Sequence, residues 1–357
     1  MEKMDMRLPQ PDFWKGKKVL ITGLTGFKGS WLALWLHRMG AQIHGISLPP
    51  ETQPNLYGTA NIARITGSTF CDIRHAGEFA AQVALIEPDI VFHLAAQALV
   101  LRSYEQPVET FATNVMGTAN LLNAIRNIKR TRVAIIVTTD KVYENLELSA
   151  PFREDDKLGG HDPYSASKAA VEILVASFRS SLFTGKAALS TMRAGNVIGG
   201  GDWSENRLIP DAVKRWTEGE ALVVRNPHSV RPWQHVLEPL AGYLILAEMT
   251  WDKPALSGAF NIGPDSEDVA TVEAVVTLAQ DSFGKGAFVI SDDEAKKHEA
   301  VHLALSNLKA WRELGISPRW KLATAVQRTM AWYRQFNEGA SAAKLCNADI
   351  DAFEAVP

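Results

Sequence analysis

The chain contains 357 residues, of which 46% are hydrophobic and 22% charged, and its formal net charge at pH 7 is −3. This composition is typical of an ordered globular protein with one large domain or two unequal ones. It lacks the basic excess of proteins that bind nucleic acid or an anionic membrane surface. Only two cysteines, Cys71 and Cys346, are present, which argues against a disulfide framework and favours a reducing compartment.

The sequence also lacks the patterns of secreted and membrane proteins. Residues Met1 to Trp14 contain charges and prolines instead of the apolar core of a signal peptide. No apolar run approaches the roughly 20 residues that span a membrane. We therefore expect a soluble cytoplasmic protein with neither a nucleic-acid nor a membrane partner.

A glycine-rich turn follows the first predicted strand. Residues 17–23 are apolar enough for a strand, Gly23-Leu-Thr-Gly-Phe-Lys-Gly29 follows, and an amphipathic helical pattern covers 30–38. Such glycines let the backbone approach a pyrophosphate, which then lies at the amino end of the helix. The spacing alone also fits an ordinary turn, but a strand before it and a helix after it favour a dinucleotide site.

The next two predicted strands end in candidate cofactor contacts. Gln42–Ser47 lacks the terminal acidic residue that usually holds the adenosine ribose, although Glu51 lies close enough in sequence to replace it. No arginine directly follows this strand to receive a 2′-phosphate, so we expect NAD rather than NADP. At the end of the third strand, within 65–73, Asp72 could contact the adenine or cap a helix from His75.

The fourth predicted strand, 89–96, ends in Ala95-Ala96, whose small side chains would let a cofactor lie against the backbone. His93 lies inside this apolar strand, and we expect it to be a core residue. A long helical pattern over 107–129 contains Asn114. Because an unpaired buried amide costs about 1–3 kcal/mol, Asn114 should bond to backbone near the cofactor.

The chemistry is predicted to centre on 132–168. Val133–Val137 is an uninterrupted apolar run, typical of a central parallel strand, and it opens onto the polar residues 138–143. A helix beginning after Asp162 places Tyr164 and Lys168 four residues apart on one face. The Lys168 ammonium should lower the pKa of Tyr164, which could then accept a hydroxyl proton as hydride leaves the same carbon. The alternative is an ordinary surface Tyr/Lys pair.

The second half of the chain supplies candidate phosphate ligands. A sixth strand, 188–194, runs into 195–203, whose three successive glycines indicate a mobile or closely approached loop. Arg207, Arg225 and Arg231 follow in or beside loops, where guanidinium groups suit a diphosphate. A solvated basic loop is the alternative reading.

These elements predict an α/β protein: a Rossmann-type doubly wound parallel sheet with a smaller C-terminal substrate-binding lobe. Helices are predicted over 236–249, from 271 and over 307–314 and 322–336, with strands at 221–225, 259–263 and 287–291. The expected organisation is a dinucleotide-binding domain of 1–198 with 236–263, a nucleotide-sugar lobe of 199–235 with 264–345, and a frayed C-terminal tail, 346–357.

The pattern His298-Glu-Ala-Val-His302 matches a zinc-protease motif, which requires a helix. The residues that follow alternate between apolar and other side chains with a period of two, which indicates a strand. Residues four apart on a strand are separated by about 13 Å. We therefore expect no metal site.

The glycine pattern, the 93–96 strand end and the Tyr164/Lys168 pair together resemble the extended short-chain dehydrogenase/reductases that act on nucleotide sugars. Within that family, longer strings resemble the CDP-glucose 4,6-dehydratases over nearly the whole chain. These strings are residues 25–32, 139–145, 158–165 and 193–203.

The resemblance implies that NAD takes a hydride from C4 of the sugar, that water leaves across C5 and C6, and that the hydride returns to C6. It implies that Tyr164 with Lys168 is the oxidation base, that Thr139 bonds the C4 oxygen and that Asp140 is the acid for the C6 hydroxyl. Lys141 stands where related dehydratases carry a Glu. A cationic Lys cannot abstract the C5 proton, so Lys141 would be partly neutral, act through water or stabilise charge.

The resemblance also implies a homodimer or a dimer of dimers, formed through the helices at 107–127 and 163–182, and CDP-glucose as substrate. The implied binding residues fall into two groups. The cofactor group is Gly23, Thr25, Gly26, Phe27, Lys28, Gly29, Asp72, Ile73, Leu94, Ala95, Ala96, Asn114, Thr138, Tyr164 and Lys168. The substrate group is Gln97, Arg102, Asn196, Arg207, Arg225, Arg231 and His235.

Two other functions remain open from the sequence. A nucleotide-sugar 4-epimerase would share Tyr164 and Lys168 but would not need Asp140 as an acid. A protein that binds dinucleotide without turnover would usually have lost the tyrosine or the lysine, and this chain keeps both.

Overall fold

The computed structural model describes residues 7–147, 150–291 and 302–356. The strands alternate with helices along the chain, as a doubly wound fold requires. The strands are β1 (Lys18–Thr22), β2 (Gln42–Ser47), β3 (Gly67–Phe70), β4 (Ile90–His93), β5 (Val133–Val137), β6 (Ala188–Ala194), β7 (Val197–Ile198), β8 (Ala221–Val224), β9 (Val230–Arg231), β10 (Gln234–His235), β11 (Ala259–Ile262), β12 (Ala270–Thr271) and β13 (Ala287–Ile290).

The helices include every long one that the sequence predicts. They are α1 (Pro11–Trp14), α2 (Phe27–Arg38), α3 (Leu56–Thr59), α4 (Ala76–Ile86), α5 (Val100–Glu105), α6 (Pro107–Phe111), α7 (Gly117–Ile125), α8 (Pro163–Ser181), α9 (Leu208–Thr217), α10 (Leu237–Asp252), α11 (Val272–Phe283), α12 (Leu308–Leu314), α13 (Leu322–Asn337) and α14 (Ala342–Glu354). A π-helix, Ala112–Met116, joins α6 to α7, and short 3₁₀ turns occupy Ile62–Arg64, Asp140–Val142, Pro254–Leu256 and Ser266–Asp268.

Seven of the described strands form one parallel sheet in the order β3-β2-β1-β4-β5-β6-β11. The order reverses direction between β1 and β4, and ligands of open α/β sheets bind at the carboxyl ends beside such a switch point. This arrangement confirms the predicted fold class. The remaining strands form three two-stranded pairs, β7 with β10, β8 with β13 and β9 with β12.

Helices cover both faces of the sheet because alternate strand residues point to opposite faces. Val19 and Ile21 of β1 pack in one apolar cluster with α2 and α10, whereas Leu20 packs in the other with α4, α7 and α8. Every residue of β5 and β6 is buried. Strands buried on both faces read as continuous apolar runs, which is why β5 was predictable from sequence.

The C-terminus differs from the frayed tail predicted for 346–357. Residues through Glu354 form α14, whose Cys346, Ile350 and Phe353 are fully buried. The Trp35 indole donates to a Glu354 carboxylate oxygen at 2.8 Å. The segment therefore packs on α2 as part of the core.

The glycine run after β7 is closely packed, one of the two readings that its sequence allowed. A Cβ added to Gly200 would lie 2.0 Å from the ring of Trp332, and Gly201 has a φ of +83°. The Trp31 indole also donates to the Gly200 carbonyl at 2.9 Å. Only glycine allows this contact between the loop and α13.

His298 of the zinc-protease pattern lies outside the described residues, and His302 bridges to Val230 in an extended conformation. Over 7–147, 150–291 and 302–356, no cluster of three or more His, Cys, Asp or Glu is placed to hold a metal ion. No helix in those same ranges is long and apolar enough to cross a membrane.

Candidate active site

A cavity of about 1000 Å³ lies along the carboxyl ends of the central strands. Its lining begins at the glycine turn after β1 and passes the ends of β2 to β6 before reaching the loops around β8 and β9. A cavity of this size and position suits a dinucleotide together with a second elongated ligand. Most of the predicted cofactor and substrate residues therefore line one cavity.

The glycine turn is shaped for close backbone approach. Gly23 has a φ of +76°, and a Cβ there would lie 2.7 Å from the Ala95 nitrogen. A Cβ on Gly29 would lie 2.2 Å from the Gly23 carbonyl oxygen. The helix α2 begins at Phe27, and its N-cap, Gly26, offers no side-chain cap. The first N–H groups of α2 are thus left for an anion in the cavity, so the residues present fit a dinucleotide pyrophosphate.

Two ion pairs line the cavity near the ends of β2 and β3. The Arg102 guanidinium lies 2.9 Å from the Glu51 carboxylate. Asp72 accepts from the Arg74 backbone and side chain, and these hydrogen bonds lower the pKa of the Asp72 carboxyl. Because α4 begins at Ala76 without a side-chain cap, Asp72 is not its cap. The adenine contact stays a prediction for this residue.

The structure tests two predictions for residues near the end of β4, Asn114 and His93. Asn114 lies in the π-helix, where its amide bonds both the N–H and the carbonyl of Gln97 and donates to Ser167 Oγ at 2.8 Å. His93 lies between the hydroxyls of Thr22 and Thr118, and burial lowers its pKa to about 3. The expectation that Asn114 bonds backbone and that His93 is a core residue is confirmed.

Beyond β5, the chain turns sharply and brings three polar residues together. The Thr139 hydroxyl donates to Asp140 Oδ1 at 2.8 Å, and the Lys141 ammonium lies 3.3 Å from the same oxygen. The carboxylate of Asp140 is fully buried, and its Oδ2 has no hydrogen-bond partner among the described residues. The Thr138 hydroxyl instead donates away from this group, to Glu172 at 2.5 Å.

Tyr164 and Lys168 lie on the first turns of α8, which Asp162 caps by accepting from the Ser165 nitrogen at 2.9 Å. The Lys168 ammonium donates to the Val137 carbonyl at 3.0 Å. This arrangement places both side chains in the cavity, as the sequence predicts.

The ionisation of this pair differs from the prediction. Burial raises the pKa of Tyr164 to about 12, which hydrogen bonding with Thr139 and the charge of Arg207 offset only in part. Burial also lowers the pKa of Lys168 to about 8. The sequence showed the spacing that favours a phenolate but could not show the desolvation that opposes it.

The structure places the predicted arginines along the far wall of the cavity, together with Asn196. Arg207 lies 3.7 Å from Asp202, Arg225 is exposed, and Arg231 is buried and donates to the Val230 carbonyl.

His235 requires a correction. Its ring is fully buried and packs against Trp31 and Trp320, away from the cavity lining. Burial lowers the pKa of His235 to about 3. A side chain so enclosed cannot contact a substrate, so its assignment to the substrate group is wrong.

Two features of the site escaped the sequence analysis. Burial, with the positive charges of Arg207 and Lys168, lowers the pKa of Lys28 to about 7, so this residue of the glycine turn titrates near neutrality inside the cavity. Glu172 is buried behind the turn that carries Thr139 and Asp140, and it accepts a hydrogen bond from the Thr138 hydroxyl. The signal for Glu172 was its position four residues after Lys168, on the same helical face.

The comparisons with known proteins agree with this geometry. The family model for GDP-mannose 4,6-dehydratase matches residues 20–329. The chain is 42% identical over 335 residues to CDP-glucose 4,6-dehydratase of Salmonella typhimurium, covering 92% of this chain and 93% of that protein. It is 31% identical over 251 residues to dTDP-glucose 4,6-dehydratase of Streptomyces antibioticus, covering 70% and 71%.

Solved structures support the fold. UDP-glucose 4-epimerase of Stenotrophomonas maltophila, with bound NAD and formylated UDP-arabinopyranose, superposes with a TM-score of 0.78 at 23% identity, over 91% of this chain and all of that one. The UDP-glucose 4-epimerase of Thermus thermophilus, in complex with NAD, gives a TM-score of 0.78 at 23% identity, over 88% and 98%. The family match, which covers most of the chain, together with the Tyr164/Lys168 pair and the glycine turn, shows that the chain belongs to the GDP-mannose 4,6-dehydratase family of nucleotide-sugar enzymes.

Proposed function

We propose that this protein is an NAD-dependent CDP-glucose 4,6-dehydratase, a hydro-lyase that converts CDP-glucose to CDP-4-dehydro-6-deoxyglucose. The observation that carries the proposal is the buried carboxylate of Asp140, which lies in the same cavity as Tyr164 and Lys168. A 4-epimerase has no leaving hydroxyl and no need of this acid. The nucleotide is proposed from the similarity to the Salmonella enzyme.

The proton transfers at C4 and C6 in the proposed reaction are assigned to residues of this chain. Bound NAD would accept the hydride from C4 and return it to C6. Tyr164 would take the C4 hydroxyl proton while Lys168, held by the Val137 carbonyl, supplies nearby positive charge. Thr139 would hold the C4 oxygen, because its hydroxyl contacts Tyr164. Asp140, in its protonated form, would give a proton to the departing C6 hydroxyl through Oδ2, the oxygen that has no partner among the described residues.

Lys141 is proposed to stabilise the enolate that would form as a water molecule in the cavity takes the C5 proton. The same water would return a proton to C5 when the hydride adds at C6. Its ammonium lies 3.3 Å from Asp140 and is partly exposed at the cavity wall. A cation in this position would favour negative charge on the C4 oxygen without itself removing a proton.

NAD is proposed over NADP because Glu51 lines the cavity after β2. Its carboxylate would repel a 2′-phosphate, although it is paired with Arg102. Calorimetry with both cofactors tests this preference. Tighter binding of NADP, or equal binding of both, would contradict it.

A dimer is proposed from exposed apolar side chains near α6 and on α8. Val108 and Ile173 are 81% and 61% exposed, and Met116 is also exposed. Light scattering of the wild type should give twice the chain mass of 39.2 kDa. A monomeric wild type would refute the dimer.

The activity is tested by incubating the protein and NAD with CDP-glucose, and separately with dTDP-glucose, GDP-mannose and UDP-glucose. The 4-keto-6-deoxy product is followed by its alkaline absorbance, with Tyr164→Phe as the inactive control. Product from CDP-glucose, and little from the others, is expected. Conversion of CDP-glucose to CDP-galactose without ketone would support the epimerase, and no turnover of any sugar would support a binding protein.

A further inference from the structure

Glu172 is a buried carboxylate behind the active site, on the same face of α8 as Lys168. It accepts three hydrogen bonds, from Thr138 Oγ1 at 2.5 Å, Thr191 Oγ1 at 2.7 Å and an Arg193 guanidinium nitrogen at 2.8 Å. Both carboxylate oxygens are thus bonded, and Arg193 balances the charge. Such a group is held in one orientation, because each partner fixes a different direction.

Arg193 extends these bonds to the segment that follows the Thr139–Asp140 turn. Its other terminal nitrogen donates to the Tyr143 hydroxyl at 2.8 Å, and that hydroxyl donates to Asn261 Oδ1 at 2.6 Å. The Tyr143 ring stacks on Phe152 with centroids 4.8 Å apart. A continuous set of buried bonds therefore joins α8, β6, the residues after the turn and β11.

Two contacts fix α8 to the carboxyl end of β5. The Lys168 ammonium binds the Val137 carbonyl, and Glu172 binds the side chain of the next residue, Thr138. Thr138 directly precedes Thr139 and Asp140. The separation between the proton acceptor on α8 and the proton donor after β5 is consequently set by this pair of bonds.

We propose that Glu172 is a positioning residue of the dehydratase site, which acts through Thr138 to hold the Thr139–Asp140 turn at a fixed distance from Tyr164 and Lys168. This inference rests on the proposed function. The reaction uses Tyr164 at C4 and Asp140 at C6 of one bound sugar, so both groups must stay within hydrogen-bond reach. A displacement of about 1 Å can reduce a rate by about 100-fold.

Glu172 also acts on Lys168 by charge. Its carboxylate favours the ammonium form of Lys168 against the desolvation that lowers the pKa of that amine. The other ionisable groups that face Lys168 are the amine of Lys28, the phenol of Tyr164 and the neutral ring of His93. Glu172 is therefore the negatively charged group in this set, and it lies one helical turn from Lys168 on α8.

The chain provides a matched pair of substitutions. Thr138→Val and Thr191→Val each remove one hydroxyl donor from the same carboxylate, but Thr191 lies on β6 and does not line the cavity. Thr138→Ser keeps the hydroxyl. For each variant we would measure kcat and KM for CDP-glucose, the Kd for NAD and Tm, with the wild type alongside.

Thr138→Val should lower kcat by about 100-fold while KM and the Kd for NAD change little, whereas Thr191→Val should stay close to wild type. Thr138→Ser should recover most of the kcat that Thr138→Val loses, because it restores the hydroxyl donor to Glu172. The two valine variants should lose similar amounts of Tm. Equal kcat in the two valine variants would overturn the positioning role, and so would a Thr138→Val defect confined to NAD binding. A wild type inactive on CDP-glucose would instead refute the proposed function.

Glu172→Gln gives a second readout. Without the carboxylate, the pKa of Lys168 should fall further, so the alkaline fall in kcat should begin at lower pH than in the wild type. An unshifted pH profile in a folded Glu172→Gln enzyme would overturn the effect of Glu172 on Lys168. If this variant does not fold because Arg193 loses its partner, the threonine pair decides the proposal.

Discussion

The Oδ2 atom of Asp140 faces Gly195 closely enough that a Cβ on Gly195 would lie 3.2 Å from it. The same Cβ would lie 2.5 Å from the Pro232 ring. Only glycine fits between Pro232 and the Asp140 carboxyl group, whose Oδ2 is buried and has no hydrogen-bond partner among the described residues.

Asp140→Asn should separate oxidation from elimination. The amide can still accept from Thr139 through Oδ1, so the turn should keep its shape, but it cannot deliver a proton to the C6 hydroxyl. We expect formation of the 4-keto-6-deoxy product to fall by about 10²–10⁴-fold. Reduced nicotinamide, formed by oxidation at C4, should still appear in a single turnover.

Stopped-flow absorbance and product assay measure the two steps of the Asp140→Asn enzyme. The exposed Asp155 provides the control, because Asp155→Asn changes a carboxylate outside the cavity lining. Unchanged product formation by Asp140→Asn would remove Asp140 as the acid.

The activity should fall as pH rises through about 8. Lys168 has a pKa lowered by burial to about 8, so its ammonium is present at neutral pH and lost above that value. Lys168→Arg keeps the positive charge to much higher pH. Its kcat should be lower than wild type because the guanidinium cannot match the bond to Val137, but its alkaline fall should move to higher pH.

Lys28 also titrates near neutrality, with a pKa of about 7, and must be distinguished from Lys168. A pH profile of Lys28→Met provides that distinction. An alkaline fall that disappears in Lys28→Met and persists unchanged in Lys168→Arg would assign the titration to Lys28 and contradict the prediction.

Much of the fold followed from hydrophobic patterning. The bounds of β2, β5 and β6 match the predicted runs. The clearest of these is β5, which is buried on both faces and is therefore a continuous apolar segment. The helix α14 was predictable in principle, since Cys346, Ile350 and Phe353 recur at helical spacing. Their burial depends on the partners that α2 and α13 supply, and these partners lie far away in sequence.

The residues that form the site were more predictable from sequence than their ionisation states. The spacing of Tyr164 and Lys168 was visible, but their ionisation depends on desolvation, which only packing determines. His235 was misassigned because its neighbour Arg231 lines the cavity and the sequence does not show that the ring turns toward Trp31 and Trp320. Glu172 reads as one more polar helical residue until Thr138 and Arg193 are seen around it.

Gly200→Ala should destabilise the fold by about 1–3 kcal/mol, because the added methyl would overlap the Trp332 ring at 2.0 Å. Gly77→Ala in α4 is the matched control, since a Cβ there meets nothing within 4 Å. That change should be neutral or stabilising, because alanine favours helix over glycine. Urea unfolding measures both, and equal stabilities would show that the loop moves to accept the methyl.

The contribution of Glu238 to stability should fall as pH rises from about 5 to about 8, against the gain in stability that the buried rings of His93 and His235 give as pH rises. Burial raises the pKa of Glu238, on α10, to about 7 from its ordinary value of 4.5, despite hydrogen bonds from the backbone of Arg319 and Trp320. A folded-state pKa above the unfolded one gives stability that is full below the unfolded value and is lost as pH rises through the folded value. The shift corresponds to roughly 3 kcal/mol.

Glu238→Gln should flatten this dependence, because the amide oxygen still accepts from the Trp320 nitrogen while no charge is buried at pH 8. The free energy of unfolding in urea at pH 5 and pH 8 measures the effect, with Glu313→Gln at an exposed position as the control. Burial raises the pKa of Glu248 and Asp349 to about 7 as well, so Glu238→Gln should remove only part of the pH dependence. Identical slopes for wild type and Glu238→Gln would mean that Glu238 is not the group that titrates.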